Sequence, residues 1–174
     1  MSFAHQTVVV IGATGVVGGG IVRTYLDAGA TVVGVSRSAA NLQKLKQQMS
    51  ITADEPFCGV VTSFKDEGAA EKAKEAITAA LAGKPIDHVV SAQGFVSFAK
   101  PPTHSALEVL KTALDDGLYN NYLAAKALLE LSNSPTVCGR LSMEEHKGRR
   151  GFAPWRSSKV ISGRPEHLAR GSSA

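Results

Sequence analysis

The chain has 174 residues, of which 44% are hydrophobic and 20% charged, and its formal net charge is +4 at pH 7. This length and composition predict one soluble globular domain with a sizeable core, and they argue against a disordered chain, a secretory leader and a membrane-spanning helix. The positive charge is concentrated near the C-terminus, where residues 139–174 carry eight Lys or Arg and three Glu.

The first predicted unit is a strand, a glycine-rich turn and a helix. A β-branched run at residues 8–11 stops at Gly12, glycines recur at every third position, and apolar residues at helical spacing then continue to Gly29. Gly12 allows the chain to reverse, Gly15 allows close approach of a pyrophosphate, and Gly18 allows the helix to lie close to the strand. The N–H groups and partial positive charge at the helix N-terminus suit a dinucleotide diphosphate.

This pattern predicts a dinucleotide-binding loop, and a glycine-rich turn that binds nothing is the alternative. The candidate cofactor-binding residues of the loop are Gly12, Ala13, Thr14, Gly15, Val16, Val17 and Gly18.

A second predicted strand, residues 31–35, completes a βαβ unit and ends in three polar residues, Ser36, Arg37 and Ser38. In NAD-binding units a carboxylate at this place accepts from the ribose 2′-hydroxyl. Arg37 instead offers a planar charged fork for a phosphate, and the two serines offer hydroxyl groups. We therefore expect NADP to be preferred over NAD. A solvated arginine at the start of a helix is the alternative.

Helices and strands continue to alternate along the chain. We predict a helix at 39–49 capped by Ser38, a strand at 57–61, a helix at 66–82, a strand at 86–90, a helix at 103–131 and a strand at 136–138. On the helix at 66–82 we expect a solvated face of Glu67, Glu71, Lys72, Lys74 and Glu75. For the long helix we expect an inner stripe of Leu107, Leu110, Leu114, Leu118, Tyr122, Ala125 and Leu129.

Two strand ends add candidate cofactor residues. Thr62 follows the third strand, and Ser91, Ala92, Gln93 and Gly94 follow the fourth, where a glycine suggests close backbone approach to a ligand. Strands alternating with helices of this length predict an α/β fold, a doubly wound parallel sheet covered on both faces.

The two cysteines, Cys58 and Cys138, are far apart and have no metal-ligand spacing with the five histidines. We expect both to be buried free thiols, which favours a cytoplasmic location. His88 is flanked by strand residues with no second ligand nearby, so we expect a structural role and no metal site.

These residues resemble the short-chain dehydrogenase/reductase family over about residues 6–138. The resemblance depends on the glycine loop at 12–18, the order of βα units, the segment 91–94 and the helix residues 119–126. It implies a Rossmann-type fold and an NAD or NADP cofactor.

The chain departs from the family pattern in three places near the cofactor. The fourth strand ends in Ser-Ala-Gln-Gly rather than Asn-Asn-Ala-Gly, and Thr62 and Ser63 stand where the family usually has an Asp against adenine. Gly117, Asn120 and Asn121 are all candidates for the position of the family's structural Asn.

The resemblance also implies a catalytic Tyr, a Lys four residues later and a supporting Ser. The comparable spacing here is Trp155 to Lys159, and Trp155 has no exchangeable hydroxyl proton. Lys159 and Ser142 are therefore the candidate catalytic residues, and a solvated lysine is the alternative for Lys159. A family member would continue with a further helix, strand and substrate loop. We expect a Rossmann domain at 1–138, truncated after about the fifth strand, and a basic, partly disordered or divergent tail at 139–174.

Three functions are compatible with these features. The first is an NADP-dependent oxidoreductase acting on a carbonyl or alcohol of a small-molecule substrate. The second is a non-catalytic NAD(P)-binding protein, such as a regulator or an enzyme remnant. Nucleic-acid binding through the tail is disfavoured because no recognised motif is present. No membrane partner is expected, and the family's use of the long helix for assembly makes a homo-oligomer possible.

Overall fold

The computed structural model describes residues 3–94, 106–132 and 137–138. The elements, in chain order, are β1 (Thr7–Ile11), α1 (Val16–Asp27), β2 (Thr31–Ser36), α2 (Ala39–Gln48), β3 (Phe57–Val61), α3 (Glu67–Leu81), β4 (His88–Ser91), α4 (Leu107–Leu114), a π-helical segment (Asp115–Tyr119), α5 (Asn120–Leu129) and β5 (Val137–Cys138). Within these residues, no helix combines the length and the apolar character needed to span a bilayer.

The strands form one parallel sheet in the order β3-β2-β1-β4-β5. β1 is the central strand, and Val8 is in register with Val32 of β2 on one side and His88 of β4 on the other. The strand order therefore reverses between β1 and β4. This topology confirms the predicted doubly wound parallel sheet.

Alternating side chains of the central strands enter two separate cores. Val9 and Ile11 pack with α3 and α5, whereas Val8 and Val10 pack with α1 and α2. Successive strand residues point to opposite faces, so a strand covered on both sides must be apolar throughout. This requirement explains why β1 is an unbroken hydrophobic run that is buried along its whole length.

The helix boundaries follow from local hydrogen-bond chemistry. Gly29 has φ +86 and ends α1, where its N–H and that of Ala30 donate to the carbonyls of Leu26 and Tyr25 in a Schellman arrangement. Ser38 caps α2 as predicted, because its side chain accepts from the N–H of Asn41.

The predicted inner stripe of the long helix is wrong. Leu107, Leu110, Leu114, Leu118 and Tyr122 are 50–65% exposed. The buried residues of this segment are instead Gly117, Leu123, Ala124, Ala127 and Leu128. Periodicity favoured one row of large side chains, but Leu123, Ala124, Ala127 and Leu128 are the residues that share a core cluster with the alanines of α3. The π-helical segment also changes the helical phase between α4 and α5.

Three smaller expectations have mixed outcomes. Lys74 does not belong to a purely solvated face, because its ammonium pairs with Glu130 of α5. Cys58 is a free thiol but only partly buried, and Cys138 has no described side chain. His88 has a structural environment, since Nε2 lies 2.9 Å from Oε1 of Gln6 and the ring packs against Phe3.

Candidate functional site

A cleft of about 320 Å³ opens at the carboxyl ends of the first four strands. It adjoins the reversal between β1 and β4, which is where ligands bind in open α/β sheets. The predicted cofactor residues that line it are Gly12, Thr14, Gly15, Ser36, Arg37, Ser38, Thr62, Ala92, Gln93 and Gly94.

The other predicted cofactor residues do not line the cleft. Ala13 is fully buried in the core, Val16 and Val17 have exposed side chains, and Gly18 lies beneath the turn. The hydroxyl of Ser91 donates to Asn121. Side chains at these positions are therefore turned away from the cleft, although backbone N–H groups of the loop can still serve a ligand.

The glycine turn is held between two neighbouring strands. Gly12 has φ +75, and a Cβ there would lie 2.9 Å from the backbone nitrogen of Gln93. The N–H groups of Gly12 and Ala13 both donate to the carbonyl of Val35, each at 3.1 Å. Only a residue without a side chain fits this position, because both its dihedral angle and its neighbours exclude a Cβ.

The helix that follows the turn begins without a side-chain cap. Its N-cap residue is Gly15, and no acidic residue lies in its first turn. Within the described chain, the N–H groups of Val16, Val17 and Gly18 have no hydrogen-bond partner. α2 and α3 differ, because Ser38 and Asp66 cap them with side-chain oxygens. Three unpaired amides and the positive end of the helix dipole therefore follow Gly15, which lines the cleft.

Polar side chains at the end of β2 form the neighbouring wall. Ser36 is buried, and its Oγ lies 3.0 Å from Oγ1 of Thr14 and accepts from the N–H of Ser38. These hydrogen bonds join the glycine turn to the end of β2. The adjacent Arg37 is exposed at the rim and makes no ion pair within the described residues.

The loop between β3 and α3 contributes further cleft residues, of which Phe64 and Lys65 were not predicted. Ser63, Phe64 and Lys65 line the cleft beside Thr62, whose N–H donates to the carbonyl of Ser36. Phe64 is 3% exposed and anchors the loop in the core. The polar residues that follow the third strand, Thr62, Ser63 and Lys65, are the sequence signal that could have identified this wall.

A second unpredicted feature is a hydrogen-bond node at the end of β4. Oδ1 of Asn121 accepts from Ser91 Oγ and, at 3.4 Å, from Gln93 Nε2. Nδ2 of Asn121 donates to the carbonyl of Gly117 within the π-helical segment. Of the three candidates for the structural Asn, Asn121 is thus the one directed at β4. The change in helical phase, which periodicity does not reveal, brings it there.

Two further cleft residues come from the π-helical segment and the start of α5. Asp116 and Asn120 line the cleft, and Nδ2 of Asn120 donates to Asp116 Oδ1 at 3.0 Å. This hydrogen bond spans the π-helical segment. The sequence pattern placed no ligand-facing residue there, because both side chains belong to a helix that was treated as a packing element.

The resolved pKa shifts belong to ion pairs outside the cleft. A hydrogen bond from Arg23 lowers the pKa of Glu55, and one from Lys74 lowers the pKa of Glu130. The described residues contain no group of three or more His, Cys, Asp or Glu that could hold a metal ion. The candidate catalytic residues Ser142 and Lys159 lie outside the described residues.

The chain is similar to known proteins in both sequence and fold. The family model for short chain dehydrogenases matches residues 6–135. Among solved structures, a short-chain dehydrogenase/reductase from Mycobacterium ulcerans is 22% identical with a TM-score of 0.65, and the match covers 75% of this chain and 48% of that one. The citronellol catabolism dehydrogenase AtuB of Pseudomonas aeruginosa is 22% identical with a TM-score of 0.66, covering 78% and 55%.

A short chain dehydrogenase from Shigella flexneri 2a is 18% identical with a TM-score of 0.68, covering 78% of this chain and 61% of its own. The search of curated proteins returns no match. The chain thus spans about half to three-fifths of the length of the structures it resembles. At 18–22% sequence identity, the similarity to these structures shows a shared fold.

Proposed function

Because the chain belongs to the short-chain dehydrogenase family, we propose that it is an NADP-dependent oxidoreductase acting on a carbonyl or alcohol of a small-molecule substrate. The family is one of oxidoreductases that use a nicotinamide dinucleotide. The preference for NADP, the substrate class and the residues that serve them are our proposal.

The observation that carries this proposal is the uncapped N-terminus of α1. Unpaired N–H groups at a helix N-terminus bind anions, and a dinucleotide supplies a diphosphate of matching charge. At Gly15 an added Cβ would meet only the carbonyl of Gly12, at 3.4 Å, so the surface above the loop is open. We assign the diphosphate to the N–H groups of Val16, Val17 and Gly18.

The remaining cleft residues fit the rest of the cofactor. We assign the adenosine ribose to the rim formed by Ser36, Arg37 and Ser38, with Thr62 nearby. Arg37 supports NADP because its guanidinium can make paired hydrogen bonds to a phosphate. Ala92, Gln93 and Gly94 form the opposite edge. When bound, the nicotinamide supplies the hydride-transfer chemistry, and the protein supplies binding and orientation.

For proton transfer we propose Lys159, supported by Ser142, on the resemblance alone. The Trp at position 155 favours a second candidate function, an NADP-binding protein that does not turn over substrate. NADPH oxidation with a panel of carbonyl compounds separates the two. Turnover that Lys159→Ala abolishes would exclude the second function, whereas binding without turnover would exclude the first.

Gly15→Asp tests whether the uncapped N-terminus of α1 binds the diphosphate. The dihedral angles of Gly15, φ −74 and ψ 164, suit an ordinary N-cap residue, so the new carboxylate can accept from the amides that we assign to the diphosphate. We expect NADPH and NADH to bind at least about tenfold more weakly, because the carboxylate both occupies the amides and repels the ligand. Thermal stability should be unchanged or higher, since the helix gains a cap.

Gly15→Ala is the matched control, because it adds a Cβ without a carboxylate. Isothermal titration of NADPH and NADH measures both variants and the intact chain. Equal affinity in Gly15→Asp and Gly15→Ala would refute the assignment of the diphosphate. Arg37→Asp should weaken NADPH and spare NADH, and loss of both would contradict the role of Arg37.

A further inference from the structure

A second cavity, of about 560 Å³, adjoins the cleft. Arg37, Thr62, Ser63 and Lys65 line both spaces, so the two are neighbours. The second cavity is completed by the first turns of α3, which contribute Asp66, Gly68, Ala69 and Lys72. The rim that we assign to the adenosine ribose therefore borders this cavity as well.

Positive charge dominates the lining of the cavity. Arg37, Lys65 and Lys72 come from three different parts of the chain, the end of β2, the loop before α3 and α3 itself. The described ion pairs use other cations, so none of these three has a carboxylate partner among the described residues. Asp66 is the acidic residue of the lining, and its Oδ1 accepts from the N–H of Ala69 at 2.7 Å.

Such an arrangement suits a compact anion. A concave surface lined by charges of one sign concentrates counter-ions, and a phosphomonoester carries close to two negative charges at neutral pH. Arg37 offers a fork, whereas Lys65 offers a point charge that can approach the same phosphate from the other wall. Thr62 and Ser63 belong to the same lining, and their hydroxyls can donate to phosphate oxygens.

We propose that Lys65 is a specificity-determining residue, which together with Arg37 binds the phosphate on the adenosine ribose of NADP. This inference rests on the proposed function, since it names a second cation for the same cofactor. Lys72 lines the second cavity but not the cleft, so its charge attracts the phosphate from a longer distance.

Lys65→Met in the full chain tests the proposal, because methionine keeps an unbranched side chain and removes the charge. We expect the Kd for NADP⁺ and for 2′,5′-ADP to rise about tenfold, as for loss of one charge-assisted hydrogen bond. The Kd for NAD⁺ and for 5′-AMP, which lack the 2′-phosphate, should not change. Lys72→Met should raise the Kd for NADP⁺ by a smaller factor.

Lys44→Met is the control, because Lys44 is exposed on α2 and lines neither cavity. Isothermal titration with the four nucleotides measures each variant, and thermal unfolding checks that each variant is folded. Equal losses for NADP⁺ and NAD⁺ in Lys65→Met, or no loss for either, would overturn the role of Lys65. If the unmodified chain binds NAD⁺ as tightly as NADP⁺, the proposed role of Lys65 fails, but the proposal that the chain binds a dinucleotide stands. If it binds neither, the proposed function fails as well.

Discussion

Gly18 shows how closely α1 lies against the turn. A Cβ at this position would approach the carbonyl oxygen of Gly12 to less than 3.0 Å, a distance that real side chains avoid. The obstacle consists of backbone atoms of Gly12 and Ala13, so it cannot be relieved by rotation of a flexible side chain. The helix must move away from β1, and the turn between them must move with it.

Gly18→Ala should therefore lower the free energy of unfolding by about 3 kcal/mol, the upper part of the usual range for overpacking. Gly20 is the matched control on the same helix, because a Cβ there meets nothing within 4 Å. Gly20→Ala should stabilise the protein by about 0.5–1 kcal/mol through helix propensity. Urea denaturation measures both variants, and similar stability for the two would contradict the close packing at Gly18.

The glycine positions were predictable from the sequence because a turn between a strand and a helix has few chemical solutions. Gly12 and Gly18 are placed by the backbone itself, so local spacing was sufficient to identify them. The partners of Asn121 were not predictable, since Ser91 and Gln93 reach it only through tertiary structure. Lys65 was missed for the same reason, because its role depends on a cavity that two distant segments form together.

At the scale of elements, one ion pair ties α1 to the segment before β3. Arg23 donates to Glu55 at 2.5 and 3.1 Å, and it also contacts Asp27. The hydrogen bond from Arg23 is the largest cause of the lowered pKa of Glu55, followed by the N–H of Thr52. The pKa of this carboxyl group is 4.5 in the unfolded state and lower in the folded state. The ionised carboxylate therefore stabilises the fold at pH values above 4.5, and this stabilisation is lost as the pH falls below 4.5.

Glu55→Gln should consequently lower the free energy of unfolding at pH 7. Below pH 4.5, the free energy of unfolding should fall less steeply with decreasing pH in the variant than in the unmodified chain. The difference between the variant and the unmodified chain should narrow as the pH falls, because protonation removes the same charge. Urea denaturation at a series of pH values provides the test. Asp54→Asn at the exposed neighbouring position is the control and should follow the unmodified chain. Parallel curves for Glu55→Gln and the unmodified chain would refute the linkage.

Among the elements, strands were predicted more accurately than the long helix. β1 and β2 are buried runs rich in β-branched residues with clear ends, so burial and propensity agree. The helix at 103–131 carries two overlapping rows of apolar residues, and leucines occur in both. Periodicity alone cannot decide which stripe packs inward, since the choice depends on the alanines that α3 presents.

At the scale of the whole molecule, an exposed stripe along α4, the π-helical segment and α5 favours the homo-oligomer that the family resemblance makes possible. The stripe consists of Leu107, Leu110, Leu114, Leu118 and Tyr122, all at least 50% exposed. Contiguous apolar surface of this kind marks an interaction site in soluble proteins. Within the described residues, no other element presents a comparable row of large apolar side chains.

The double variant Leu110→Glu and Leu114→Glu should shift an oligomer towards the monomer, because burying two carboxylates in an apolar interface is unfavourable. Sedimentation velocity gives the mass, and we expect at least about a tenfold rise in the dissociation constant. Thr112→Glu adds charge to an exposed position of α4 outside the stripe and is the control. A monomeric unmodified chain, or an unchanged mass in the double variant, would contradict assembly through the stripe.

The strand order has one consequence for how the chain is made. β1 pairs with β2 within about the first 35 residues, but its other edge must wait for β4, near residue 88. Until the ribosome has released that later segment, an apolar edge of the central strand has no partner, and such edges promote aggregation. Nascent chains halted before residue 88 should therefore need a chaperone, whereas chains that include β4 can close the sheet.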